Sequence, residues 1–249
     1  MTPRRKYTTG GRRLGMAVVC AFVVGTVRPV DGQTMENTLV AWRTGQTAAA
    51  QSVGALPMRE TSELITETAR GKRTWRIVSG MRLQVMQGRA ERRMEAMRVG
   101  DRDIDLNSGE DPQRRPRRPI RSDLERAADA LLAPHTLVDL LEPIGDPSME
   151  TYEGIQVVRI HTVAKEDTTV DHITWDFDAA SGRLVHLRGV VRAGDRGTLA
   201  VEVGFRREGS ADLPVWSRSD GSFQFRRRTR TYTVLVESEA RYELAGDTL

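Results

Sequence analysis

Apolar and polar residues alternate strictly along His172 to Leu187, HITWDFDAASGRLVHL, on both sides of a five-residue interruption. Alternation of period two marks a strand that is wet on one face and buried on the other, and DAASG is punctuation of the kind that closes a hairpin. The same rhythm continues from Tyr152 to Glu243. Turns near Glu166–Asp167, Ala179–Ser181 and Ala193–Gly197 pair residues whose numbers sum to 333, 360 and 390. With these registers Ile160, Ile173, Leu187 and Val203 form one cross-strand row, and Val158, Trp175, Val185 and Phe205 the next. WSRSDGSFQF reads as a further hairpin with Asp220-Gly221 in a tight primed turn, which sets Trp216 opposite Phe225. TYTVLVES, the last strand, carries Tyr232, Val234 and Val236 on one side.

Upstream the pattern is more broken. KRTWRIV and MRLQVMQ, within Lys72 to Gln87, alternate as strands, whereas Arg89 to Val99 fits helix by composition and strand by position. Ser122 and Glu125 form a capping box for a helix with Leu124, Ala127, Ala128, Leu131 and Leu132 on one face, stopped by Pro134. A second short helix is expected from Thr136, carrying Leu137, Val138, Leu140 and Leu141 before Pro143. Two such short helices suit a lid laid on a sheet. Residues 33–57, rich in Ala, Thr and Gln, read as a flexible leader, with Leu39, Val40 and Trp42 as material for a short helix. Asp111 to Arg121, DPQRRPRRPIR, reads as a solvated proline-arginine loop.

The first 32 residues have a different organisation. Arg4, Arg5, Lys6, Arg12 and Arg13 precede an uncharged apolar run from Leu14 to Val27, then Arg28, Pro29 and a polar stretch. This is the layout of a secretory signal, with cleavage expected after Gly32. The apolar run is shorter than the roughly 20 residues of a spanning helix, so the mature chain is expected to have no transmembrane segment. Residues 1–32 hold six of the 38 Lys+Arg and one of the 34 Asp+Glu, leaving 32 basic residues against 33 acidic ones. The high overall basicity thus belongs to the leader and gives no case for a nucleic-acid partner. The single cysteine, Cys20, lies in the same run, so the remainder is expected to hold together by its core without disulfides.

No phosphate loop, HExxH, GxSxG or cysteine nucleophile follows the leader, which points away from an enzyme: no catalytic residue, no metal ligand and no cofactor is assigned. The registers above place His161 across from His172, with His186 one strand further on. That face also carries Arg159, Arg188, Thr174 and Asp176, so it is read as the wet side of the sheet. The apolar face is the other candidate: few helices cover a long meander, and a strongly curved sheet can keep a concavity for a ligand.

WDFDAASGRLVHLR, with an aspartate, a turn and a glycine before the next strand, and ADLPVWSRSDG, where Leu-Pro opens a strand, carry a resemblance to the LolA-like superfamily of bacterial lipoprotein-sorting and lipid-carrier proteins. It spans roughly Met58 to Leu244, and the proline-arginine loop departs from it. The resemblance implies a mainly β (α+β) fold, a curved antiparallel sheet or open half-barrel with short helices packed on its concave side, formed by residues 58–249 as a single domain. It also implies a periplasmic or envelope-associated carrier or binding protein for an acyl-chain lipid or lipoprotein. The expected lipid-binding face is Val158, Ile160, Ile173, Trp175, Val185, Leu187, Val203, Phe205, Trp216 and Phe225. The alternative is an envelope sensor or assembly protein with a packed sheet core that binds a protein partner through its surface.

Overall fold

A computed structural model describes residues 32–68, 71–106, 122–166, 168–192, 196–225 and 228–238. Residues 1–31, where a signal is expected, and the proline-arginine loop lie outside the described residues. Helix α1 (Gly32–Val53) leads into β1 (Ala55–Thr68), β2 (Gly71–Gln84), β3 (Arg89–Val99) and the two-residue β4 (Arg102–Asp103). Helix α2 (Ser122–Leu132) and two 3-10 turns, Pro134–Thr136 and Val138–Leu140, precede β5 (Leu141–Tyr152). The chain then runs through β6 (Ile155–Ala164), β7 (Val170–Asp178), β8 (Leu184–Arg192), β9 (Gly197–Glu208), β10 (Ala211–Phe225) and β11 (Arg228–Ser238).

All eleven strands form one antiparallel sheet in the order β4-β3-β2-β1-β11-β10-β9-β8-β7-β6-β5. Its two edges do not pair, so it is not a closed barrel. Curvature follows from what α2 touches. On β3 Arg92 is salt-bridged to Asp129, and on β8 a Cβ added at Gly189 would lie 2.9 Å from Leu131 Cδ2. Six strand intervals separate β3 from β8, roughly 29 Å in a flat sheet, whereas a helix is about 10–12 Å across. The sheet therefore wraps around α2, and its concave side is the inside of the fold.

The cross-strand rows explain the core. One concave row runs Ile160, Trp175, Leu187, Val203, Ser217, Val236, Glu60, Ser79 from β6 to β2. The next runs Thr162, Ile173, Gly189, Val201, Ser219, Val234, Ser62, Ile77. Across β6 to β9 these rows are almost wholly apolar. Beyond β9 serines and a glutamate interrupt them.

Three expectations are corrected here. The β6–β7 and β7–β8 registers are each two residues from those inferred: Ile160 faces Trp175 rather than Ile173, and Trp175 faces Leu187 rather than Val185. A shift of two preserves every residue's face, so the pattern remained apolar in either register. The β8–β9 register, Leu187 to Val203, is as inferred. Asp220-Gly221 is not a turn. Both residues lie within β10, which pairs with β9 on one side and β11 on the other, and Trp216 stands opposite Gly204 and Glu237 rather than Phe225. Residues 33–53 are not a loose leader but most of α1, whose buried stripe is Met35, Leu39, Gln46, Ala49 and Ala50, with Trp42 and Val53 partly buried. The helix stops at Gly54, whose φ of +68° suits glycine after a helix.

Candidate functional site

The site is the concave side and the helices that cover it. Trp175 and Phe177, two residues apart on β7, present parallel rings to the inside, their centroids 6.4 Å apart. Trp42 of α1 stands edge-on to both, at 5.7 Å from Trp175 and 5.8 Å from Phe177. Its indole Nε1 donates to Asp212 Oδ2 over 3.0 Å, and the backbone N–H of Leu184 donates to the same oxygen over 3.1 Å. Asp212 is buried, and its Oδ1 has no hydrogen-bond partner. Gln46, one turn further along α1, fastens to the backbone of that residue: its amide donates to the Asp212 carbonyl over 2.7 Å and its oxygen accepts from the Asp212 N–H over 2.8 Å. An ion pair joins Arg43 to Asp139 at the surface. The helix is thus held by one aromatic anchor and a few polar contacts to β10, with Met35 and Leu39 completing the apolar seal.

Helix α2 covers the polar half of the concave side and reaches across to β8 and β9 of the apolar half. Arg92 donates to Glu60 Oε2 over 2.6 Å and to Asp129 Oδ2 over 2.9 Å, with a second bond to the other Asp129 oxygen. Glu60 and Asp129 are only 1% and 2% exposed, and Arg92 supplies the positive charge that faces both carboxylates, with the Ala90 N–H as a further donor to Asp129 Oδ2 over 3.3 Å. Burial works against the Arg92 charge, but its bonds to Asp129 and Glu60 outweigh this and hold it protonated more firmly than usual. Ser62 donates to Glu60 Oε1, and Ser217 and Ser219 line the small cavity of about 20 Å³ beside the cluster.

The expected lipid-binding residues separate into groups. Ile160, Ile173, Trp175, Leu187, Val203 and Phe205 belong to the buried apolar cluster under the helices, and Val158 packs against it in part. Val185 is buried but lies outside that cluster, at an irregularity in the β7–β8 pairing. Trp216 is a correction: it shares its row with Gly204 and His186 on the convex face. Phe225 pairs with Arg228 through its backbone, and its side chain lies outside the described residues. The residues that the pattern did not reveal are Trp42, Gln46 and Asp212. Their only sequence signal is the spacing of Trp42, Gln46 and Ala49 along one helical stripe, in a segment whose alanines and polar residues leave that stripe faint.

On the convex face the three histidines do not converge. His161 pairs with Thr174, His172 with Val163 and Val190, and His186 with Asp176. His186 and Asp176 are buried, with His186 Nδ1 3.0 Å from Asp176 Oδ2 and Arg159 Nε donating to Asp176 Oδ1 over 2.6 Å. Burial pushes the Asp176 carboxyl up, but the bonds from His186 and Arg159 prevail and hold it below the usual carboxylate range. Tyr152 stacks on His186 with centroids 4.2 Å apart, and its hydroxyl is pushed up to about 12 by burial and by neighbouring Glu153. Trp216 lies directly on Gly204, where a Cβ would come within 2.1 Å of the indole nitrogen. Among the described residues, the hydrogen bonds of this His–Asp pair include no nucleophile. No group of three or more His, Cys, Asp and Glu that could hold a metal ion occurs among the described residues.

No family model and no curated protein sequence matches the chain. Solved structures similar to it include an outer membrane lipoprotein-sorting protein domain from Vibrio parahaemolyticus, with 11% identity, a TM-score of 0.36, and 84% of this chain and 92% of that one covered. A LolA superfamily protein from Nitrosomonas europaea has 8% identity and a TM-score of 0.32 over 85% and 94% of the two chains. A DUF1329 family protein from Desulfovibrio piger has 11% identity and a TM-score of 0.31 over 82% and 94%. Likeness at these values concerns the run of the chain and not what the chain binds. No helix of the described residues is long and apolar enough to cross a membrane.

Proposed function

We propose that the chain is a non-enzymatic binding or carrier protein of the bacterial envelope, taking an acyl chain of a lipid or lipoprotein against the apolar half of its concave sheet. The observation that carries this reading is the way α1 covers that half. The helix is a separate element joined to β1 through Gly54, and it docks by placing Trp42 against Trp175 and Phe177. Undocking would bare Trp175 and Phe177, at the end of the apolar floor that continues through Ile160, Leu187 and Val203, without unpairing any strand and with α2 still on β8. An acyl chain needs apolar contact and no catalytic group, and this floor offers that. A second reading, in which the sheet is plain core and the surface binds a protein, draws on the near-zero exposure of Ile160, Trp175 and Leu187 with both helices in place.

Uptake of a fluorescent fatty acid by the mature chain, followed by native mass spectrometry of protein purified from its own envelope, separates the two. A retained lipid and saturable uptake are expected. Neither retained lipid nor uptake, in the wild type or in a chain lacking α1 that still folds, would refute the carrier reading.

A further inference from the structure

The two edges of the sheet are treated very differently. At one end β4 pairs only with Arg98 and Val99, and the rest of the outer side of β3, with no strand beside it among those described, is blunted by the exposed charges of Arg89, Glu91, Arg93 and Glu95. At the other end β5 runs for twelve residues, and no strand among those described pairs with its outer side. Unpaired N–H and C=O groups along an edge are a template for another strand, and such edges are usually blunted by prolines, bulges or charge. The first half of β5 is blunted in this way: Pro143 and Pro147 lack donors, and the pairing with β6 is interrupted between Ile144 and Ser148. The second half is not. Ser148 to Tyr152 pairs regularly with β6, ends in a tight turn with positive φ at Glu153 and Gly154, and exposes Met149 at 54%.

The charge on this edge has one sign. Between Asp139 and Gly154 there are five acidic residues and no basic one. Asp139 and Glu150 already have arginine partners within the chain, whereas Glu142 and Asp146 are exposed. A second copy bringing its own β5 alongside would set these like charges against each other, which is destabilising across paired strands. A basic segment would be attracted and steered by them.

We infer that Ser148–Tyr152 is a docking edge for an extended, basic segment of a partner protein, which adds a twelfth strand to the sheet beside β5. Main-chain hydrogen bonds would supply the affinity, Met149 an apolar contact, and Glu142 and Asp146 the preference for arginine or lysine. The inference does not depend on whether the concave side holds a lipid, because the edge lies outside that floor.

The test uses the mature full chain and a labelled peptide of alternating arginine and valine, about nine residues long. Binding by fluorescence anisotropy is expected at a Kd of about 100 µM or tighter in low salt. N-methylation of alternate peptide amides on the pairing side should weaken it by about tenfold or more. Hydrogen exchange should slow at Ser148–Tyr152 on binding and at no other strand. The double variant Glu142→Lys/Asp146→Lys, altered only at exposed positions, should keep the urea midpoint and weaken binding. Equal binding of the N-methylated peptide would overturn the proposal, leaving charge attraction alone. So would protection at another strand, no binding at about 1 mM peptide, or sedimentation showing that the edge is taken up by a second copy.

Discussion

Replacing Trp42 by alanine tests whether α1 is a cover or a structural part of the core. Truncating a large aromatic residue in a filled interior costs about 3–5 kcal/mol, and Trp42 is only partly buried, which places it toward the low end. Two edge-on aromatic contacts, at 5.7 and 5.8 Å, are lost with the ring, and such pairs contribute about 0.5–1.5 kcal/mol each. Loss of the indole N–H also leaves Asp212 Oδ2 with the Leu184 amide alone, in a carboxylate whose other oxygen already lacks a partner. These contributions overlap, and a total of about 3–4 kcal/mol against α1 docking is expected. At about 1.4 kcal/mol per tenfold, the undocked population should rise by about two to three orders of magnitude. Hydrogen exchange of the α1 amides from Leu39 to Ala50 reads this directly and should accelerate by that factor, while amides of β7 to β9 keep their protection. Fatty-acid uptake should increase in parallel. Trp42→Phe, which keeps a ring and loses only the donor, should show a smaller effect of about 1–2 kcal/mol. If exchange in α1 and in the sheet accelerated together, with no gain in uptake, α1 would be core and the carrier mechanism would be refuted.

Other substitutions address the remaining contacts. Arg92→Met removes the positive charge facing two buried carboxylates and should cost about 3–5 kcal/mol in urea unfolding, and an unchanged midpoint would show that this charge does not hold the cluster together. His135 is buried with neither ring nitrogen partnered, and burial lowers its pKa. Its contribution to stability is therefore fully present above the unfolded value of about 6.5 and is lost as pH falls from there through the depressed folded value. His135→Leu should flatten the decline in stability below that pH, and an identical pH profile would refute this role. Gly189→Ala puts a methyl within 2.9 Å of Leu131 Cδ2, and faster exchange in α2 is expected as the helix lifts from β8.

What the sequence made legible was the parity of residues rather than their pairing. Alternation decides which face Ile160, Ile173, Trp175, Leu187 and Val203 occupy, and all five are in the core. It does not distinguish registers two residues apart, and the irregularity beside Val185 is one that alternation does not announce. Asp220-Gly221 looked like a turn because its local chemistry is right for one. Pairing on both sides by β9 and β11 overrides that preference. Strand β5 was hidden by its two prolines and its glycine, which are tolerated because it is an edge. The anchor of α1 was invisible for another reason: Trp42 meets Asp212 across 170 positions, and nothing near either residue announces the other.

The adjacency of β1 and β11 has a consequence for how the molecule assembles. Strands β5 to β11 pair in sequence order, as do β1 to β4, so each set closes only short loops. The seam between them joins residues 164 to 180 positions apart, from Thr66–Arg230 to Met58–Ser238. Closing so long a loop is entropically costly and slow compared with local hairpins. The sheet should therefore form as two curved leaves that fuse last, and the fusion must wait until the final strand is free to fold. Until then both leaves carry an unprotected edge, the outer sides of β1 and of β11, and this is the stage at which the chain is most exposed to pairing with the wrong neighbour.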